Sequence, residues 1–192
     1  MLQRTYDWTM RQAAQPHALW TLALISFIES SIFPIPPDVL LIPMVLAARE
    51  KAWKIATVCA IASVSGGYAG YGVGYFLFES IGEPLLAFYG YLDKFADFQA
   101  LYNEWGAWIV GMAGFTPFPY KVITIASGVT HLDPVVFGVA SAISRTARFF
   151  LVAALLWKFG PPIRIFIERH LGALTIAFFV LLFGGFALLK FL

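Results

Sequence analysis

The sequence predicts an all-α integral membrane protein. Its expected plan is two inverted repeats, each a re-entrant helical hairpin followed by a transmembrane helix, with an extra C-terminal transmembrane helix. Three observations predict this: an apolar composition, two proline-broken apolar segments of matching pattern, and basic residues that sort to one side. Of 192 residues, 60% are hydrophobic and only 12% are charged, and the mean hydropathy is +0.77. A soluble domain carries roughly 25% charged residues, so this chain has too little polar surface to face water all round. Apolar stretches at Ile55–Phe78, Val135–Phe159 and Leu171–Leu189 approach or exceed the ~20 residues that cross ~30 Å of hydrocarbon as a helix. The short alternating segments of a membrane β-barrel are not seen.

Residues 1–17 read as a polar interfacial segment on the cytoplasmic side; Arg4, Asp7 and Arg11 are spread through it, and it lacks a signal-peptide core. The membrane domain is expected over 18–160. Its first hairpin, 18–50, is apolar but interrupted by Phe33-Pro34-Ile35-Pro36-Pro37-Asp38. Each proline removes a backbone donor and clashes with the preceding turn, so no helix passes through. The arms are too short to span, which predicts entry and return on one side, with the polar tip buried in protein or lining a wet cavity. A transmembrane helix is expected over 55–78 and an outer amphipathic segment over 79–104. The second hairpin, 105–131, is broken by Phe115-Thr116-Pro117-Phe118-Pro119-Tyr120-Lys121. An offset of 83 residues aligns Pro34 with Pro117, Pro36 with Pro119 and Asp38 with Lys121. A transmembrane helix over 134–159 follows, and then 161–192 as a cytoplasmic loop and the last span.

With the N-terminus in the cytoplasm, this topology puts Arg4, Arg11, Arg49, Lys51, Lys54, Lys158, Arg164 and Arg169 inside and only Lys94 and Lys190 outside. That is the bias of the positive-inside rule.

Glu29, Asp38, Lys121, Arg145 and Arg148 remain at membrane depth. A charge at a helix centre costs at least ~2.5–3.5 kcal/mol, which makes each a candidate functional residue. Facing hairpin tips are expected to bring Asp38 near Lys121. Arg145 and Arg148, three apart, share a helix face and can point at one cavity. Guanidiniums bind phosphate oxygens bidentately, and the half-helix N-termini at the breaks also favour an anion. Glu29 and Asp38 would then carry protons or balance charge; the competing reading is a set of buried structural ion pairs. Gly66, Gly67, Gly70 and Gly74 form a small face for close helix packing.

Other classes find little support. A net charge of +2, scattered along the chain, argues against nucleic acid. The single cysteine, Cys59, excludes an intrachain disulfide. Ser30, Ser31 and Ser144 have no histidine at membrane depth, and no cluster has metal-ligand spacing. No enzyme, metal or cofactor is expected, proton coupling apart.

Four motifs, in order, carry a resemblance: Glu29-Ser-Ser-Ile-Phe-Pro-Ile-Pro-Pro-Asp38, the glycine-rich Gly66–Gly74, Gly114-Phe-Thr-Pro-Phe-Pro-Tyr-Lys121 with Gly128, and Ser144-Arg-Thr-Ala-Arg-Phe149. Over roughly 18–160 the chain resembles the DedA (VTT-domain, SNARE-associated) membrane proteins, most of all their YqaA-type branch. The resemblance implies facing re-entrant hairpins in a bacterial inner membrane and movement of a lipid phosphate, undecaprenyl phosphate or a phospholipid, as flippase or scramblase. It makes membrane lipids the partner and leaves homo-oligomers open. Glu29 and Asp38 match the family's acidic pair, and Lys121 stands one position after its usual arginine. Many members carry an arginine at Gly114, an aspartate at Gly67 and a basic residue at Tyr75, so Lys121, Arg145 and Arg148 are left to supply the positive charge. The alternatives are a small-solute or ion/proton antiporter and a non-transporting scaffold.

Overall fold

The computed structural model describes residues 17–31, 36–116 and 119–189, the side chains of Pro161 and of 163–189 excepted. The segment 1–16 and the prolines Pro34 and Pro117 therefore lie outside the described residues. All regular structure there is helical: α1 (Ala18–Ser31), α2 (Asp38–Ala47), a short 3-10 turn (Arg49–Lys51), α3 (Ala52–Leu77), a π turn (Phe78–Gly82), α4 (Glu83–Tyr89), α5 (Leu92–Phe115), α6 (Tyr120–Val129) and α7 (Pro134–Leu189).

Local chemistry sets the ends. Helices α1 and α2 flank the first proline run, α5 and α6 the second, with Pro37 and Pro119 immediately before α2 and α6. Proline cannot donate, and at a helix start no donation is needed. Helix α4 stops at Gly90, whose φ of 69° is the left-handed conformation that glycine adopts without cost. His131, at φ 53°, turns the chain after α6 in the same way. Its neighbour Asp133 then accepts from the backbone N–H of Val135 (2.8 Å) and Val136 (2.9 Å), capping α7 ahead of Pro134.

Contacts give the directions. Ser26 meets Cys59 and Ser30 meets Ser63, a constant offset of 33, so α1 and α3 run side by side in the same direction. Helix α2, which joins them in sequence, must therefore run back the opposite way, and it packs chiefly on α7. The second half is built alike. Gly114 lies against Ser144, and Thr116 accepts from Arg148, so α5 and α7 run together. Tyr102 bonds Ser127, and Asn103 bonds the Thr130 carbonyl, as α6 returns along α5. Helices α3 and α7 are antiparallel: Trp53 lies against Trp157, Ser63 meets Arg145, and Tyr68 reaches the Pro134 carbonyl.

Two apolar clusters form. One joins the starts of α1 and α3, the inner face of α2 and the stretch 149–156 of α7 around Leu22, Leu41, Val45, Cys59 and Phe149. The other joins Tyr71, Tyr102, Val110, Tyr120 and Phe137. Small residues permit the close approach. A Cβ on Gly66 would overlap the Phe27 carbonyl of α1, and one on Gly74 the Ile125 carbonyl of α6. A Cβ on Gly70 would overlap Thr124, while on Gly67 it would stand 3.2 Å from the Tyr120 hydroxyl.

Two boundaries differ from the sequence reading. The outer segment 79–104 and the first arm of the second hairpin are not separate, because α5 runs unbroken from Leu92 to Phe115. The change at Glu104 is one of polarity, to which backbone hydrogen bonding is indifferent. The loop expected after 160 is likewise helical, α7 continuing to Leu189. Pro161 withdraws the N–H that would serve the Trp157 carbonyl, and Arg49 Nη2 donates to that carbonyl instead. Among the described residues, one helix segment is long and apolar enough to cross a membrane, Pro134–Gly160. Helix α3 matches it in length, but glycines, serines and tyrosines make it less apolar.

Candidate functional site: a charged layer between two apolar clusters

The four charges Glu29, Asp38, Arg145 and Arg148 meet between the two apolar clusters. Arg145 is 3% exposed. Its Nη2 stands 3.1 Å from Glu29 Oε2 on α1, and its Nε donates to Ser63 Oγ on α3 at 2.6 Å. Ser30 completes the group, within 2.7 Å of Ser63 Oγ and 3.2 Å of Glu29 Oε2. The guanidinium carbon lies 4.7 Å from the ring centroids of both Tyr120 and Phe149, so aromatic faces hold the cation where no polar partner does. One turn on, Arg148 Nη2 meets Asp38 Oδ2 at 2.6 Å, and Nη1 donates to the Thr116 carbonyl at 2.7 Å. That carbonyl ends α5, where the helix dipole favours a cation.

The expected pairing of Asp38 with Lys121 is not made: Asp38 pairs with Arg148. Helix α2 packs chiefly on α7, so the guanidinium on α7 reaches it first. The two arginines, on one face of α7, are each engaged by a carboxylate of their own, Arg145 by Glu29 and Arg148 by Asp38. Lys121 occupies the first turn of α6, half-buried, and makes no ion pair among the described residues. Among the described residues, Asp38 Oδ1 and Arg148 Nε are buried with no hydrogen-bond partner.

Sequence reasoning missed Ser63, Tyr120 and the Thr116 carbonyl as partners of the arginines. A signal for Ser63 existed. Ser26 and Ser30 on α1, and Cys59 and Ser63 on α3, are matched pairs of small polar residues four apart, the spacing of one helix face. Gly114 sits against Ser144, with its absent Cβ 3.6 Å from Arg145 Cδ. A side chain there would overlap the Ser144 hydroxyl and displace it.

Residues 35–158 match the VTT domain, a stretch that takes in Asp38, Lys121, Arg145 and Arg148. The chain belongs to the VTT-domain (DedA) family. Glu29 precedes the matched stretch, yet its partner Arg145 lies inside it. The chain is 41% identical over 167 residues to an uncharacterized protein of Haemophilus influenzae, covering 85% of this chain and 86% of that one. It is 42% identical to an uncharacterized HI0703 homolog of Histophilus somni, covering 85% and 87%. No solved structure matches it. As a VTT-domain protein with an apolar helix of spanning length, the chain is membrane-associated.

Proposed function

We propose that this VTT-domain protein carries phosphate-bearing lipids across a bacterial inner membrane, as flippase or scramblase, through the charged layer between its hairpins. In this reading the chain crosses the membrane several times with its N-terminus in the cytoplasm. The two hairpin-plus-helix units are inverted repeats; the parallel runs of α1 with α3 and α5 with α7, and the antiparallel run of α3 against α7, support that. The observation that carries the function is the charge state of the layer. Two arginines are balanced by two carboxylates, and Lys121 adds a further cation at the N-terminus of α6. The helix dipole there is itself positive, so the locus favours an anion. A phosphate can satisfy Lys121 and compete for the arginines, because its oxygens take guanidinium donors bidentately. Glu29 and Asp38 hold the arginines when the anion is away, and protonating either carboxylate would free its arginine. That is the route by which a proton gradient can enter.

The test is reconstitution in vesicles of phosphatidylglycerol and phosphatidylethanolamine containing a trace of fluorescent lipid that external dithionite quenches. Wild-type protein exposes inner-leaflet label to quenching, and Arg145→Ala does so far more slowly. Equal quenching in wild-type, variant and protein-free vesicles removes the proposal. Dependence on an imposed pH gradient supports proton coupling.

The closed pairing of four charges favours one second reading, a scaffold in which these residues are structural. Wild-type protein that moves no lipid, together with a Glu29→Gln/Arg145→Gln double variant that folds as wild type does, would support that reading.

A further inference from the structure

The returning arms of the two hairpins, α2 and α6, are fastened in different ways. Helix α6 is pinned by all the helices around it. The Thr124 hydroxyl donates to the Ser30 carbonyl of α1 at 3.1 Å, and the Tyr120 hydroxyl donates to Ser141 of α7. Tyr102 of α5 meets Ser127 at 3.1 Å, while Gln99 and Asn103 donate to the Thr130 carbonyl just past the helix, at 2.9 and 3.0 Å. Against α3 the backbones touch: Gly74 faces the Ile125 carbonyl, and Gly128 the Tyr71 carbonyl.

Helix α2 has a single polar fastening among the described residues, the Asp38–Arg148 pair. Otherwise it is held by apolar side chains, Leu40, Leu41, Met44 and Val45, which are buried in the first apolar cluster. The pair is sparsely bonded: Asp38 Oδ1 and Arg148 Nε find no partner among the described residues, and the two side chains are about one-fifth exposed. The Glu29–Arg145 pair, by contrast, gains Ser30 and Ser63. The turn that carries Asp38 also lacks a backbone bond, since Pro43 withdraws the N–H that would serve the Val39 carbonyl.

We propose that α2 is the moving arm of the charged layer, a gate latched by Asp38 on Arg148, and that α6 is the fixed frame against which it opens. Apolar contact is non-directional, so once the latch is released α2 can tilt on α7 without stranding another side-chain hydrogen bond. Helix α6 has no such freedom, because moving it takes both donors from the Thr130 carbonyl and breaks the bonds of Thr124 and Tyr120. What the gate serves rests on the carrier reading: an anion that takes Arg148 from Asp38 releases the arm, while Arg145 keeps α1 in place through Glu29. In the proposed topology α2 belongs to the hairpin that enters from the cytoplasm, so its release opens the layer to that side. The two hairpins are then unequal in function; one moves and the other holds.

The test is amide hydrogen exchange of the full chain in one detergent at one pH, read by mass spectrometry on peptides covering 38–47 and 120–129. Exchange reports local opening of each helix. In wild type, α2 should exchange about tenfold faster than α6, the ratio that one or two further hydrogen bonds on α6 predict. Asp38→Asn keeps the shape of the side chain and removes its charge. It should speed exchange in 38–47 about tenfold again, as the loss of a charge-assisted bond predicts, with 120–129 near the wild-type rate. Glu29→Gln, which loosens α1 instead, should leave 38–47 near wild type. Equal rates in the two arms of wild type overturn the gate, and so does an Asp38→Asn protein in which both arms speed up together. Either result leaves the lipid-movement assay, and with it the carrier reading, untouched. If wild type moves no lipid in vesicles yet α2 opens ahead of α6, the gate stands and the carrier reading falls.

Discussion

Arg148 Nη2 stands 2.6 Å from Asp38 Oδ2, a bond that fastens the returning arm of the first hairpin to α7. One turn earlier, Arg145 fastens the entering arm through Glu29 at 3.1 Å. Both arms are thus held on one face of a single helix. The same two arginines also touch the second hairpin, at the Thr116 carbonyl and the Tyr120 ring. The guanidiniums are the place where the two halves of the molecule meet.

Removing Arg145 should therefore destabilise the fold. Arg145→Ala strands Glu29 and Ser63 with no cation between them, and breaking a buried pair from one side costs about 3–5 kcal/mol. Thermal unfolding in detergent should show a clearly lowered midpoint. The Glu29→Gln/Arg145→Gln double variant, which leaves no lone charge, should recover much of the loss. An Arg145→Ala protein that melts with wild type contradicts the pairing.

The glycine face makes a separate prediction. Gly66→Ala and Gly74→Ala place a methyl onto the Phe27 and Ile125 carbonyls and should each cost roughly 1–3 kcal/mol through overpacking. Gly72, on the same helix, has nothing within 4 Å of its missing Cβ. Gly72→Ala should be neutral or stabilise by roughly 0.5–1 kcal/mol through helix propensity. Melting midpoints in one detergent rank the three variants, and a uniform response would remove the packing argument.

Arg49 and Pro161 should be coupled. Arg49 serves the Trp157 carbonyl that Pro161 deprives of its helical donor. Arg49→Ala should lower stability by about 1 kcal/mol, the net worth of a hydrogen bond. In a Pro161→Ala background, where the backbone N–H returns, the same change should cost little. The interaction energy of the double-mutant cycle is the readout, and strictly additive effects would separate the two residues.

Much of this was legible in the sequence because the signals are local. The proline runs that hold Pro36, Pro37 and Pro119 mark the breaks ahead of α2 and α6, and the spacing of Gly66, Gly70 and Gly74 marks one face before any partner is known. The expense of burying charge singled out Glu29, Asp38, Arg145 and Arg148 by depth alone. Their pairing was not legible. Whether Asp38 meets Lys121 or Arg148 depends on α2 lying against α7, a relation between segments about a hundred residues apart. The continuity of α7 past Pro161 was hidden similarly, since the substitute donor, Arg49, lies far away in sequence.

The proposed topology makes its own prediction. A cysteine in place of Lys51, at the start of α3, should react only with reagent applied from the cytoplasm. One in place of Asp93, beyond the end of α3, should react only from outside. Labelling of both from a single side would contradict the inverted repeat.

The central claim is that an anion is bound beside Lys121, and Lys121→Ala tests it most directly because no ion pair of the described residues is broken. Lipid movement in reconstituted vesicles should fall about tenfold, the loss of one charge-assisted hydrogen bond, with the melting midpoint unchanged and with Lys121→Arg restoring much of the rate. A Lys121→Ala protein that moves lipid as fast as wild type would contradict the account.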